Sequence, residues 1–205
     1  MPKSADSPHI VHLSKDKKLV PILQTVEPYE LKKRKNVCVR LCASIMSQQL
    51  STKVADVIFK RFLALFKGKE PTPQQILDTP YDTLRGIGLS NAKVSYVQNV
   101  ARYMLEHKVD DKKLHKMADE EVITFLTAIK GVGKWTVEML LMFTLGREDV
   151  FAVDDLGIQQ AMIKVYKIDT TDKKALREKM LQVSAKWAPY RTHACFYLWK
   201  YKDSK

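Results

Sequence analysis

The chain has 205 residues, 45% hydrophobic and 28% charged, with only 7 Gly and 8 Pro. That is enough apolar material for one domain or two small lobes with a real core, and it excludes a mostly disordered chain, a collagen-like polymer or a multidomain array. Lys and Arg (35) outnumber Asp and Glu (23) by a formal net charge of +12, an excess that favours a polyanionic partner, nucleic acid or an anionic membrane surface first, over a merely solubilising surface.

Met1 to Asp6 are polar and lead into no apolar signal segment, and no run reaches the roughly 18 apolar residues of a membrane-spanning helix. A soluble protein is expected, cytoplasmic, or nuclear in a eukaryote. The run Lys32-Lys33-Arg34-Lys35 reads as generic backbone electrostatics or a solvated face. Val37, Leu41, Ile45 and Met46 then form a stripe at three- and four-residue spacing that predicts a helix over 37–46. Val54, Ile58, Phe62, Leu65 and Phe66 predict the next. Pro71 and Pro73 separate two helices and Pro80 interrupts another pair. Similar runs cover 90–106, 119–129, 135–145, 155–166, 172–184 and 190–201, with Asp119 read as an N-cap. Val150 to Val153 is at most a short extended run. The fold class is all-α, with about ten short helices.

Three cysteines, Cys38, Cys42 and Cys195, are too few and of the wrong parity for a disulfide framework. Cys38 and Cys42 lie in an apolar helical run and read as buried thiols, and Cys195 with His193 does not complete the four ligands of a structural zinc.

Two segments share a pattern. Leu84-Arg85-Gly86-Ile87-Gly88-Leu89 and Ile129-Lys130-Gly131-Val132-Gly133-Lys134 each read as helix, G-apolar-G, helix. The first is a glycine-permitted tight turn between packed helices. The second offers more, because backbone N–H groups left bare at the start of a helix, reinforced by the helix dipole, suit a phosphate. Lys130 and Lys134 flank it, and Val132 can plug the turn into the core. The spacing is not that of a nucleotide P-loop.

Asp155 follows Gly133 by 22 residues, within Asp149-Val150-Phe151-Ala152-Val153-Asp154-Asp155-Leu156-Gly157-Ile158. The run from Leu126 to Ile158 resembles the helix-hairpin-helix/Gly-Pro-Asp signature of base-excision DNA glycosylases, with Val153 where that pattern often has Pro. It is most similar to the 3-methyladenine DNA glycosylase II branch. The resemblance continues in Ile45-Met46-Ser47-Gln48-Gln49-Leu50-Ser51 and in Trp187-Ala188-Pro189-Tyr190-Arg191 with Trp199, so it spans nearly the whole chain.

The resemblance implies a role for each motif. Lys130, Gly131, Gly133, Lys134 and Thr136 would hold DNA phosphates, and the carbonyls of Thr127, Ile129 and Val132 would bind a monovalent cation, Na+ or K+. Asp155 would be the catalytic carboxylate, stabilising the charge left on the sugar and orienting or deprotonating a water; Asp154 reads as a helix cap or an orienting neighbour. Trp135 stands where bifunctional relatives carry a nucleophilic lysine, which implies a monofunctional enzyme without lyase activity. Trp135 and Trp199 would face a cationic alkylated purine such as 3-methyladenine or 7-methylguanine, although Trp199 reads about equally well as a core residue. Met139 and Leu156 replace two pocket tyrosines of a bacterial relative, so the pocket is less aromatic. Gln49, with Gln48 as its neighbour, would fill the gap left by the flipped base, and Arg191 would brace the site through a carboxylate or contact phosphate.

The resemblance thus implies excision of alkylated purines from double-stranded DNA by one glycosylase domain over 1–205. Lobe one would hold residues 1–50 and 158–205, lobe two 51–157 with the hairpin at 126–140, and the active site the cleft between them. The chemistry requires no cofactor, no iron–sulfur cluster is expected, and the default state is a monomer. Two rivals share part of this pattern: a non-catalytic helix-hairpin-helix DNA-binding protein, and a glycosylase for deaminated or mismatched bases, which would call for specific hydrogen-bond donors in the pocket.

Overall fold

The computed structural model describes residues 7–27, 30–169 and 171–204, and Met1 to Asp6 lie outside the described residues. Among those described, regular structure is helical, with no strand. In chain order the helices are α1 (Pro8–Leu13), α2 (Val20–Thr25), α3 (Val37–Ser47), α4 (Thr52–Ala64), α5 (Pro73–Asp78), α6 (Tyr81–Gly86) and α7 (Asn91–Glu106). They continue with α8 (Asp111–Lys116), α9 (Asp119–Thr127), α10 (Lys134–Phe143), α11 (Leu156–Tyr166), α12 (Lys173–Ala185) and α13 (Arg191–Asp203). None is long and apolar enough to cross a membrane.

The helix starts follow local chemistry. Side chains of Asn36, Ser51, Ser90, Asp110, Asp155 and Asp172 each accept a hydrogen bond from the first turn of the helix they precede, as N-caps do. Pro73 opens α5 behind a Thr72–Gln75 capping box, and Pro80 precedes α6. Asp119 is the first residue of α9 and not its cap; the cap position is Ala118, whose N–H donates to Glu121 Oε2 at 2.6 Å. Val150 to Val153 forms no strand. It leads into a tight turn in which Val153 N donates to Phe151 O at 3.0 Å and Asp155 N to Ala152 O at 3.1 Å.

The chain divides into two compact units, residues 1–32 with 146–205, and residues 33–145. The breaks fall near 32 and 145, not near 50 and 157. Packing accounts for both shifts: α3 lies against α4, α7 and α10, so it stays with the middle of the chain. The segment 147–150 is tied to α13, where Thr192 Oγ1 donates to Arg147 O at 2.7 Å and accepts from Val150 N at 2.9 Å.

In the first unit α13 packs on α11 and α2, and Ile22, Ile158, Met162, Trp187 and Leu198 are buried. The buried Asp16 carboxylate accepts from Tyr166 Oη at 2.5 Å and Trp187 Nε1 at 3.0 Å, and pairs with Lys186 Nζ at 2.9 Å. Burial alone would raise its pKa, but these bonds hold it below the ordinary carboxylate value. The core of the second unit centres on α3 and α7, with Leu41, Ile45, Val94, Val97 and Leu126 buried. All three cysteines are buried and none is in a disulfide, and the Cys38 thiol together with burial pushes Cys42 well above its ordinary pKa.

Candidate functional site

In the second unit α9 and α10 form the hairpin. Gly131 carries φ +104°, a conformation open to glycine, and a Cβ there would lie 2.2 Å from Cγ of Tyr96. The Tyr96 ring is thus the floor of the turn. Asn99 Nδ2 donates to Lys130 O at 3.2 Å, and Tyr103 Oη to Phe125 O at 2.8 Å, so α7 carries the hairpin along one face. Val132 is buried, as a plug requires, and its N–H donates to Ile129 O at 3.0 Å.

Gly133 differs from Gly131. It is the N-cap of α10 with an ordinary extended φ of −91°, it supplies no side-chain cap, and a Cβ added to it meets nothing within 4 Å. Its missing side chain leaves open space over the start of a helix, the setting in which anions bind. Lys130, Gly133 and Lys134 are exposed; Lys134 Nζ lies 3.6 Å from Glu138 Oε1. Thr136 is buried, so its hydroxyl is not presented at the surface. Among the described residues no backbone hydrogen bond outside the helices reaches the carbonyl of Thr127 or Val132, whereas Ile129 O is engaged.

The two glycine patterns do not superimpose as written. In the first, the left-handed residue is Gly88 (φ +107°) and the N-cap is Ser90, whereas Gly86 closes α6. The counterpart of Gly131-Val132-Gly133 is therefore Gly88-Leu89-Ser90.

Between α3 and α4, Gln48 leaves the helix at φ −52°, ψ 130° and is half-buried, whereas Gln49 is exposed at φ +59°. A left-handed residue with a Cβ costs about 1–2 kcal/mol, and such strain gathers where function holds it. Trp135 is 39% exposed at the start of α10. Met139, one turn on, lines a cavity of about 260 Å³ with Ser44, Ser47, Phe59 and Phe143, and with Arg34, Arg40 and Asp56 also on its wall.

In the first unit Asp155 caps α11: Oδ1 accepts from Ile158 N at 2.8 Å and from Trp199 Nε1 at 2.8 Å. Trp199 is therefore neither a plain core residue nor remote from the carboxylate; it is half-buried and fixes the carboxylate's orientation. A Cβ at Gly157 would lie 3.0 Å from Trp199 Cδ1 and 3.1 Å from Asp155 Oδ1, so glycine permits this approach. Asp154 is not a cap; it is exposed and pairs with Arg177 at 3.4 Å. Leu156 is 66% exposed.

Arg191 braces a carboxylate. Its Nε and Nη2 donate to Asp149 Oδ1 and Oδ2 at 2.7 and 2.8 Å, and its backbone N to Oδ1 at 3.2 Å. With Thr192, this fork holds 147–150 on the first turn of α13, eight residues before Trp199 meets Asp155 on the same helix. Sequence reasoning missed Tyr96, Asp149, Gly157 and Thr192. Only Gly157 left a local trace, since glycine in the first turn of a helix costs about 0.5–1 kcal/mol against Ala without a structural reason.

The comparisons with known proteins agree with one another. The family model for HhH-GPD superfamily base excision DNA repair proteins matches residues 42–186. The chain is 35% identical over 186 residues to DNA-3-methyladenine glycosylase 1 of Schizosaccharomyces pombe, covering 90% of this chain and 80% of that protein. It is similar, at a TM-score of 0.84 and 32% identity, to the solved structure of a 3-methyladenine DNA glycosylase of that yeast in complex with abasic DNA, covering 96% of this chain and 97% of that one. A DNA-3-methyladenine glycosidase structure from Bacillus halodurans gives a TM-score of 0.84 and 34% identity over 98% of this chain and 93% of that one. Hairpin and capped Asp155 both fall inside the matched span, and the chain belongs to the HhH-GPD superfamily of base excision DNA repair proteins.

Proposed function

We propose that the chain is a monofunctional DNA glycosylase that removes alkylated, cationic purines such as 3-methyladenine and 7-methylguanine from duplex DNA. The observation that carries this reading is the Asp155 carboxylate held by Trp199 Nε1 and the Ile158 N–H; similarity to 3-methyladenine glycosylases supports the substrate class. The glycosidic C1′–N bond breaks with its electron pair passing to the base, so a cationic purine departs neutral and needs no strong general acid. The sugar acquires oxocarbenium-like charge, which a fixed carboxylate stabilises. Water then bonds to C1′ and gives its proton to Asp155. Trp135 and Trp199 offer electron-rich faces to the cationic base, each contact contributing about 0.5–2 kcal/mol.

A Schiff-base lyase step needs an amine; Trp135 offers none, and Lys134 precedes it on the helix. The product is then an abasic site in an uncut strand. The hairpin over 130–136 holds the DNA backbone through N–H groups and lysines, contacts that position without reading sequence. The Thr127, Ile129 and Val132 carbonyls would hold a Na+ or K+ that offsets phosphate charge; the carbonyls of Thr127 and Val132, which among the described residues accept no backbone hydrogen bond outside the helices, fit that role. Three cysteines cannot supply the four thiolates of an iron–sulfur cluster. The protein acts as a monomer, in the cytoplasm or, in a eukaryote, the nucleus.

The test is a release assay on duplexes containing 3-methyladenine, 7-methylguanine, 1,N6-ethenoadenine, hypoxanthine and uracil. Release of the two cationic purines is expected, with loss of at least about a hundredfold in Asp155→Asn while DNA binding persists. Wild-type release by Asp155→Asn overturns the mechanism, and a strong borohydride-trapped adduct overturns the assignment as monofunctional.

A further inference from the structure

The link between α3 and α4 is four residues long, Gln48 to Ser51, and holds a left-handed Gln49. Gln48 N donates to Ile45 O at 3.3 Å and Leu50 N to Ser47 O at 3.1 Å, and at the far end Ser51 O accepts from Ala55 N at 2.9 Å. The shortest contact on Gln48 comes from elsewhere in the chain. Lys93 Nζ donates to Met46 O at 2.9 Å and to Gln48 O at 2.7 Å. An ammonium over the last carbonyls of α3 satisfies groups that a helix end leaves open and meets the negative end of its dipole.

Lys93 is the third residue of α7, immediately beyond the Gly88-Leu89-Ser90 hairpin. That hairpin is closed inward. Leu89 and Ile87 are buried, and Ser90 Oγ accepts from Lys93 N at 3.3 Å. Lys93, Tyr96 and Asn99 recur every three residues on α7, so they share one face. The first holds the Gln48–Gln49 link, and the other two hold the hairpin at Gly131 and Lys130. One rigid helix therefore sets the distance between the two elements.

We infer that Lys93 is a positioning residue for base flipping: it holds the Gln48–Gln49 link in its strained form, at a register to the phosphate-binding hairpin fixed by α7. This rests on the reading of Gln49 as the side chain that fills the gap left by the flipped base. The first glycine hairpin is then the mount of that element and not a second DNA contact. Partial burial lowers the Lys93 pKa from its ordinary value, while the two carbonyl acceptors favour its charged form.

The experiment compares single-turnover excision of 7-methylguanine paired with cytosine and of the same lesion in a single-base bulge, where no partner is orphaned and no gap needs filling. Lys93→Met is expected to slow the paired substrate 10- to 100-fold and the bulged one less than threefold, with affinity for undamaged duplex unchanged within twofold. Lys93→Arg, which keeps a cation on the two carbonyls, stays within fivefold of wild type on both. Gln49→Ala reproduces the Lys93→Met pattern, and the double variant is no slower than the slower single, as expected of residues acting as one unit. Equal loss on both substrates, or no loss on the paired one, overturns the role of Lys93. If Gln49→Ala discriminates and Lys93→Met does not, Lys93 alone is wrongly assigned; if Gln49→Ala does not discriminate, the gap-filling reading falls and takes this one with it. Should Lys93→Met melt below the assay temperature, Lys93→Gln, which removes the charge and shortens the side chain, carries the same comparison.

Discussion

Gly88-Leu89-Ser90 and Gly131-Val132-Gly133 are the same turn built twice. Each has a left-handed glycine, φ +107° and +104°, then a buried apolar residue, then an N-cap. At the cap they part. Ser90 closes its own helix with its hydroxyl, whereas Gly133 adds nothing and leaves open space. Their surroundings differ as well, for a Cβ on Gly88 would sit at an ordinary 3.7 Å from Ile58, but one on Gly131 at 2.2 Å from Tyr96. A helix start capped by its own side chain is a structural joint; one with no side-chain cap, beside lysines, is a place for an anion.

Substitutions can break that comparison, beginning with the glycines. Gly131→Ala should lose roughly 2–5 kcal/mol in urea unfolding, from overpacking on Tyr96 added to left-handed strain, and Gly88→Ala about 1–2 kcal/mol from strain alone. Equal losses would show that the Tyr96 floor is irrelevant. Acid sharpens the comparison by acting on the first unit and sparing both turns. There His193, stacked on His9 at 4.0 Å, has its pKa lowered to about 4 by burial and then by the neighbouring His9. The unfolded chain takes up a proton at this site near pH 6.5 and the folded one only near 4, so stability falls as pH drops through that window, by about 1–2 kcal/mol at pH 5. His193→Phe should flatten this slope and leave the Gly131→Ala and Gly88→Ala difference unchanged.

Converting one cap into the other is the closer test. Gly133→Ser should alter stability by a few tenths of a kcal/mol yet weaken duplex binding about tenfold, or 1.4 kcal/mol, at fixed salt in a fluorescence anisotropy titration. Ser90→Ala has the smallest expected effect, about 1 kcal/mol of stability with duplex affinity unchanged. A loss of affinity there would make the first hairpin a DNA contact after all.

The legible parts of the molecule were those written in consecutive residues. Gly131-Val132-Gly133-Lys134 and Asp155 stood in local motifs, and α3, α4, α7 and α10 in apolar stripes long enough to show a period. Helices α1, α2, α5, α6 and α8 span six residues each, under two turns, too few for periodicity to register. The two turns were paired two residues out of register, because sequence shows glycines and not which of them takes positive φ. Contacts that cross the chain left no mark: Trp199 to Asp155 spans 44 positions, Arg191 to Asp149 spans 42, and Lys93 to Gln48 spans 45.

Asp155 spends one carboxylate oxygen on the first turn of α11 and on an indole N–H. Asparagine caps helices as well as aspartate does and keeps an oxygen to accept both bonds. Asp155→Asn therefore removes a charge and leaves the scaffold intact. Such a variant is a reagent as well as a control: immobilised, it should retain lesion-bearing fragments from sheared genomic DNA without consuming them, and the bases it retains would report which lesions the protein selects.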